Sequence, residues 1–116
     1  MGILSRDQIL QADDLGLVEL EVPEWGGSVY VRVMRGTERD QFEARMTSGD
    51  AEKLSNVRAY LASLTVVDEN GERLFKSSED VEALGGKSAR ALSRIFNRAL
   101  EINGFGANDV EKLEKN

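Results

Sequence analysis

The residue types that usually carry acid–base, nucleophilic or metal chemistry are scarce in this chain. It contains neither histidine nor cysteine, so a Ser-His-Asp triad, a histidine base, a thiolate nucleophile and a disulfide are all excluded. Zinc sites built from histidine or cysteine are excluded for the same reason. The carboxylates remain, but they fall at positions typical of strand exteriors, turns and helix starts, where water solvates them. The sequence therefore predicts a protein that is not an enzyme and holds no cofactor or metal.

One acidic run, at residues 68–72 (DENGE), could suggest a calcium loop. Counted from Asp68, Glu79 stands at the twelfth position, where an EF-hand has its bidentate glutamate. The sixth position needs a glycine for the sharp turn, but Arg73 occupies it and Gly71 comes too early. The Asn-Gly pair within the run is a strong turn signal, so we expect a hairpin turn here and no metal.

A more distinctive feature is a basic cluster, Arg90, Arg94 and Arg98, in an otherwise acidic chain. Spacing of four residues places these side chains along one strip of a helix. Two interpretations stay open. The strip is either a solvated face paired with nearby carboxylates such as Glu101, or a docking surface for an acidic client, partner or second subunit. Phosphate binding ranks below both.

Two aromatic residues are further candidates for partner binding. Trp25 lies in the turn segment PEWGG, and Phe105 follows a glycine near the end of the chain. Each either folds back over the core or stands exposed as an anchor, since aromatic residues are enriched among interface hot spots.

The elements that must position these residues begin with a hairpin. Residues 17–22 and 28–34 both alternate apolar and polar side chains, which is the pattern of half-buried strands. Pro23 ends the first run, and Gly26 and Gly27 supply a turn. Before the hairpin, Ser5 and Gln8 form a capping-box pattern for a short helix, whose Ile9 and Leu10 we expect to face the body.

Helices are predicted downstream. Residues 37–46 form a polar helix with Thr37 as its cap, and Ser77 or Ser78 caps a short helix. Residues 87–102 give the strongest helical pattern and end at Asn103-Gly104. Residues 108–115 are expected to form a last short helix. The apolar stripe of the long helix is predicted to be core, with a client groove along its edge as the alternative: Ala89, Leu92, Ile95, Phe96, Ala99 and Ile102.

Residues 54–67 fit both a helix and an alternating strand. We favour a strand that ends near Val67, followed by the turn and a short return strand at residues 73–75, and leave a preceding helix open. The predicted fold class is α+β, with a small antiparallel sheet (N-terminal hairpin plus central hairpin) packed against C-terminal helices.

Length, composition and net charge restrict the domain organisation, the partners and the location of this protein. A length of 116 residues suits one domain, predicted to span 1–116 with 1–16 and 106–116 as candidate mobile ends. No signal peptide or membrane span is evident. The net charge of −6 disfavours nucleic acid and anionic membranes as partners. These features predict a cytoplasmic location.

Residues 64–104, LTVVDENGERLFKSSEDVEALGGKSARALSRIFNRALEING, resemble the tail assembly chaperones of long-tailed bacteriophages and prophages. The matching order is an apolar run, the segment DENGERLF, an acidic helix start, and a helix that ends in LEING. The resemblance implies a non-catalytic protein that holds the tape measure protein soluble in the host cytoplasm and recruits the major tail protein. It also makes a homo-oligomer plausible. The alternative is a structural tail or head-completion protein retained in the virion.

Overall fold

The computed structural model describes residues 2–51 and 56–105. These residues form a three-stranded antiparallel sheet and five α-helices, which confirms the α+β class. In chain order the elements are α1 (Arg6–Gln11), β1 (Leu17–Val22), a 3₁₀ turn (Pro23–Trp25), β2 (Gly27–Arg32), α2 (Gly36–Thr47), α3 (Val57–Thr65), β3 (Val66–Val67), α4 (Ser78–Gly85) and α5 (Ala89–Ile102).

The predicted N-terminal hairpin is confirmed. Val18 pairs with Val31 and Leu20 with Val29, so one face of β1 and β2 carries the apolar side chains toward the helices. The connection is the 3₁₀ turn, which closes through Gly26 in the left-handed region at φ 73°. A residue without a Cβ adopts that conformation with little strain.

The ambiguous run at 54–67 is mostly a helix. Within its described part, α3 occupies residues 57–65, and the favoured strand is limited to Val66 and Val67, which pair with Val31 and Tyr30 of β2. The predicted return strand reduces to a single bridge between Val67 and Arg73. The helix prevails because residues 61–67, polar only at Ser63 and Thr65, are all buried, and the helix packs against α5, α4 and α2.

Helix α5 is the centre of the packing, because it contacts β1, β2, the 3₁₀ turn and α3. Its buried stripe is rotated from the predicted one: Ala89 is exposed and Ile102 half-buried, whereas Ala91 and Leu100 are buried. The rotation follows from having neighbours on two sides, the sheet and α3. The full buried stripe is Ala91, Leu92, Ile95, Phe96, Ala99 and Leu100.

Helix boundaries follow local capping where a serine is available. Ser77 Oγ accepts from the Asp80 N–H and Ser88 Oγ from the Ala91 N–H, so α4 begins as predicted and α5 begins two residues later than predicted. The expected Thr37 cap of α2 is wrong. Its N-cap is Arg35, whose N–H donates to the Glu38 carboxylate at 2.8 Å.

That carboxylate also belongs to a buried ion pair that the sequence analysis missed. Arg32 is 2% exposed and Glu38 is 6% exposed, and Arg32 Nη2 lies 2.5 Å from Glu38 Oε1. The guanidinium also donates to the carbonyls of Val33, Gly71 and Leu64. Arg32 therefore links β2 to α2, to α3 and to the turn at 68–72.

The N-terminal segment departs most from expectation. The capping box forms as predicted, with Gln8 N–H donating to Ser5 Oγ and Ser5 N–H donating to Gln8 Oε1. The expectation that Ile9 and Leu10 face the body is wrong, because they are 56% and 66% exposed and α1 buries no residue. Local hydrogen bonds suffice for this helical turn, and the core is already filled by the hairpin and the later helices. The predicted helix at 108–115 lies outside the described residues, and the single-domain extent stays a prediction.

Candidate partner-binding surface

Two of the predicted partner-binding residues lie close together at the hairpin turn. The 3₁₀ turn packs against α5, and there the single Nε–H of Arg94 is shared between the two carboxylate oxygens of Glu24, with N···O distances of 2.8 and 3.1 Å. Trp25 follows Glu24 directly and is 36% exposed. We call this region the Arg–Trp surface, formed by Glu24, Trp25, Arg90 and Arg94.

The electrostatics of this surface centre on Glu24. The hydrogen bond from Arg94 lowers the pKa of Glu24 from its ordinary value of 4.5, with smaller contributions from its backbone and from the positive charges of Arg94 and Arg90. In return, the hydrogen bond to Glu24 raises the pKa of Arg94. The pair lies at the surface, with the Arg94 side chain 43% and the Glu24 side chain 19% exposed, so it fixes the orientation of Arg94 more than it stabilises the fold.

The rest of the arginine strip is also partly neutralised. Arg98 donates to Glu101 one turn later, as the solvated-face interpretation predicted. Arg90 is exposed and, among the described residues, makes no ion pair. Of the three arginines, Arg90 therefore presents the charge that is least compensated by neighbours.

Phe105 lies at the opposite end of α5. It closes the helix, with its N–H donating to the Leu100 carbonyl and the Gly104 N–H to the Glu101 carbonyl, the two bonds of a Schellman motif. Its ring meets Phe42 edge to face at 6.1 Å, and Arg39 stacks on it at 4.2 Å. Phe105 is thus half-buried and used in packing, and its role in partner binding stays a prediction.

Asn103 strengthens the same corner, although the sequence analysis assigned it only to the helix stop. Its Oδ1 accepts from the Met34 N–H at 2.7 Å, and its Nδ2 donates to the Ala99 carbonyl at 2.8 Å. Its own carbonyl accepts from Arg39 Nη1. An amide side chain after Leu-Glu-Ile is an ordinary helix end in sequence, so no pattern distinguished this tertiary role.

The acidic run at 68–72 forms the predicted turn. Asp68 Oδ1 accepts from the N–H groups of Asn70 and Glu72, and the Asp68 N–H donates to the Glu72 carbonyl. Gly71 adopts a φ of 82°. Within residues 2–51 and 56–105, no group of three or more carboxylates is placed to hold a metal ion.

A cleft of about 640 Å³, which no sequence pattern indicated, shares no lining residue with the Arg–Trp surface. We call it the α4 cleft, because the first half of α4 forms one wall while α2, α3 and the segment before α4 form the others. Among the described residues, its lining carries three cationic residues and one carboxylate: Arg45, Arg73, Lys76 and Glu82. Its members come from segments far apart in the chain, so no local spacing signals them.

Comparisons with known proteins identify a similar fold. No protein-family model matches the sequence, and no curated protein matches it. The structure is similar to that of the bacteriophage HK97 tail assembly chaperone, with a TM-score of 0.61 and 20% sequence identity over 82% of this chain and 94% of that one. The chain therefore has a fold like that of a phage tail assembly chaperone. In the part of the chain that the structure describes, no helix is long and apolar enough to span a membrane.

Proposed function

We propose that this protein is a tail assembly chaperone of a long-tailed phage or prophage, acting in the host cytoplasm. In this role it binds the tape measure protein and the major tail protein during tail morphogenesis and catalyses no reaction. The observation that carries the proposal is the fold similarity to the HK97 tail assembly chaperone, which covers 94% of that chain. The sequence pattern at 64–104 supports it from a separate direction, because it resembles the same family.

The proposed contact region for a client is the Arg–Trp surface. Arg90 and Trp25 are its strongest members, since Arg90 is exposed without an ion pair to a described residue and Trp25 keeps part of its ring in solvent. A partly exposed aromatic residue and an exposed cation, each next to Glu24, suit a helical client that presents apolar and acidic side chains. Arg94, Arg98 and Phe105 contribute less, because each already has a partner within the chain.

Co-expression with the tape measure protein of the same phage or prophage tests the proposal. We expect the tape measure protein to enter the soluble fraction only when this protein is present, and to co-purify with it. A tape measure protein that is equally soluble alone, with no complex formed, would contradict the function.

A charge reversal tests the surface separately. Arg90→Glu combined with Trp25→Ala is expected to reduce co-purification. The matched control is Arg35→Glu, which reverses another exposed arginine near the other end of α5. Undiminished binding by the double variant would remove the Arg–Trp surface from the proposal but leave the chaperone function standing.

A further inference from the structure

The α4 cleft holds an arginine whose charge has no carboxylate partner among the described residues. Arg73 is half-buried, and its Nε donates to the Ser63 carbonyl at 2.8 Å while Nη2 donates to the Phe75 carbonyl at 3.0 Å. These two bonds hold the guanidinium in place but supply no negative charge. A partly desolvated cation gains free energy when an anion joins it.

Three exposed arginines, Arg35, Arg58 and Arg90, likewise form no ion pair with a described residue, but Arg73 differs from them in being half-buried. Within residues 2–51 and 56–105, five arginines form ion pairs with carboxylates, and the protein carries 21 acidic against 15 basic residues. Nη1 of Arg73 also makes no hydrogen bond to a described residue, so donors remain for a ligand.

A second cation stands beside it. Lys76 lines the same cleft, is exposed, and forms no ion pair with a described residue, because Asp80 accepts only from its backbone N–H. Arg45 adds a third positive group on the α2 wall, stacked over the Tyr60 ring at 4.3 Å. Among the described residues that line the cleft, cations therefore outnumber carboxylates, in a protein of net charge −6.

The walls also offer apolar surface. Tyr60 and Val81 line the cleft and are half-buried, which leaves part of each in contact with solvent. The negative charges of Glu82, in the lining, and Glu79, in the first turn of α4, disfavour the binding of a compact, highly charged anion. An extended ligand that spaces single carboxylates between apolar side chains satisfies both features.

We propose that the α4 cleft binds an acidic, apolar polypeptide segment, with its carboxylates on Arg73 and Lys76 and an aliphatic side chain against Tyr60 and Val81. The volume of about 640 Å³ matches the size of a few side chains. This site is separate from the Arg–Trp surface, so it adds a second point of contact for a partner chain. Its test needs no tail protein and is independent of the proposed function.

The probe is a fluorescein-labelled peptide with a repeating Leu-Glu-Asp sequence, and the matched control peptide repeats Leu-Gln-Asn. Fluorescence anisotropy is expected to show binding of the acidic peptide that weakens as salt is added. The neutral peptide is expected to bind at least about tenfold more weakly, since each lost charged hydrogen bond corresponds to about that factor.

Variants locate the site. Lys76→Gln and Arg73→Gln are each expected to raise the Kd, by roughly threefold and roughly tenfold respectively. The exposed Lys76 variant keeps the test valid even if Arg73→Gln folds poorly. Arg6→Gln, which removes the same charge from the exposed helix α1, is expected to leave the Kd unchanged.

Backbone amide chemical shifts give an independent location, with the largest changes expected in residues 73–82. Equal binding of both peptides, no effect of the cleft variants, or shifts confined to the Arg–Trp surface would overturn the proposal. Inorganic phosphate serves as a competitor. If phosphate produces the same shifts and displaces the peptide at equal concentration, the cleft is a simple anion site and the proposal is wrong.

Discussion

Replacing Arg32 by methionine is expected to be among the most destabilising single changes in this protein. The substitution keeps the length and apolar stem of the side chain but removes the buried guanidinium. Glu38 then keeps only the Arg35 N–H as a donor while remaining 6% exposed, and the carbonyls of Gly71 and Leu64 lose their donors. Removing one partner of a buried ion pair costs about 3–5 kcal/mol.

That loss is large beside the whole stability of a small domain, which is roughly 5–15 kcal/mol. For a protein of this size it corresponds to a fall in Tm of roughly 10–20 °C. Urea unfolding followed by circular dichroism measures the change, and fluorescence of Trp25, the chain's single tryptophan, provides a second probe. We expect the midpoint to fall and the m value to stay constant.

Two further variants separate the pair from its surroundings. Glu38→Gln keeps an acceptor for both Arg32 and the Arg35 N–H but leaves the buried guanidinium without a counter-charge, so we expect a loss close to that of Arg32→Met, about 3 kcal/mol. The double variant Arg32→Met, Glu38→Met should cost less than the sum of the two single methionine variants, by at least about 1.5 kcal/mol of coupling.

The surface provides the control for this series. Arg6→Met removes an ion pair whose side chains are 81% and 76% exposed, and it should change stability by less than about 0.5 kcal/mol. A loss below about 1 kcal/mol for Arg32→Met, or purely additive effects in the cycle, would refute the buried pair as a link between β2 and α2.

Three other changes follow from the geometry. Because the pKa of Glu24 is lowered in the folded state, its pair with Arg94 stabilises the fold fully above about pH 4.5 and loses that contribution as the pH falls through the lowered pKa. The Glu24→Gln variant should therefore have a lower Tm than the wild type at neutral pH and the same Tm under strongly acidic conditions. Equal Tm values at neutral pH would contradict this. Gly85→Ala adds a Cβ that overlaps the Asn56 side chain and lies 2.7 Å from its Cγ, so it should fail to give the usual helix gain of about 1 kcal/mol. The same change in an Asn56→Gly background should show that gain in urea unfolding, and a gain in both backgrounds would rule out the overlap. Phe105→Ala removes the edge-to-face ring contact and the stacked guanidinium at the end of α5, and should cost about 1–3 kcal/mol in the same assay. Unchanged stability would show that Phe105 is not needed for packing and would strengthen the prediction that it contacts a partner.

The parts of the fold that the sequence revealed are those set by local chemistry. The hairpin follows from alternation around Pro23, the capping box of α1 from Ser5 and Gln8, and the end of α5 from Asn103-Gly104. In each case the deciding contacts join residues close together in the chain, so their spacing carries the information.

The parts that escaped prediction depend on contacts between distant segments. Whether 57–65 is helix or strand was decided by burial against α5, α4 and α2, which no local period encodes. The start of α2 depends on the ion pair between Glu38 and Arg32. Ile9 and Leu10 are exposed because the core is formed by other segments.

The candidate surface was foreseen only in part. The pairing of Arg98 with Glu101 followed from helical spacing, but the pair between Arg94 and Glu24 spans 70 residues and could not be read from the sequence. The α4 cleft escaped for the same reason, since its cations meet only after three helices have packed.

The most direct test of the chaperone assignment is to follow this protein through tail assembly. The experiment is affinity capture from cells producing the phage, with mass spectrometry of the captured complexes and of purified particles. It shows whether the protein binds tail proteins during assembly or remains in the finished particle. The account predicts that the tape measure protein is captured with it and that finished particles lack it. Stoichiometric amounts in the particles, or capture without any tail protein, would contradict the account and favour a structural virion component.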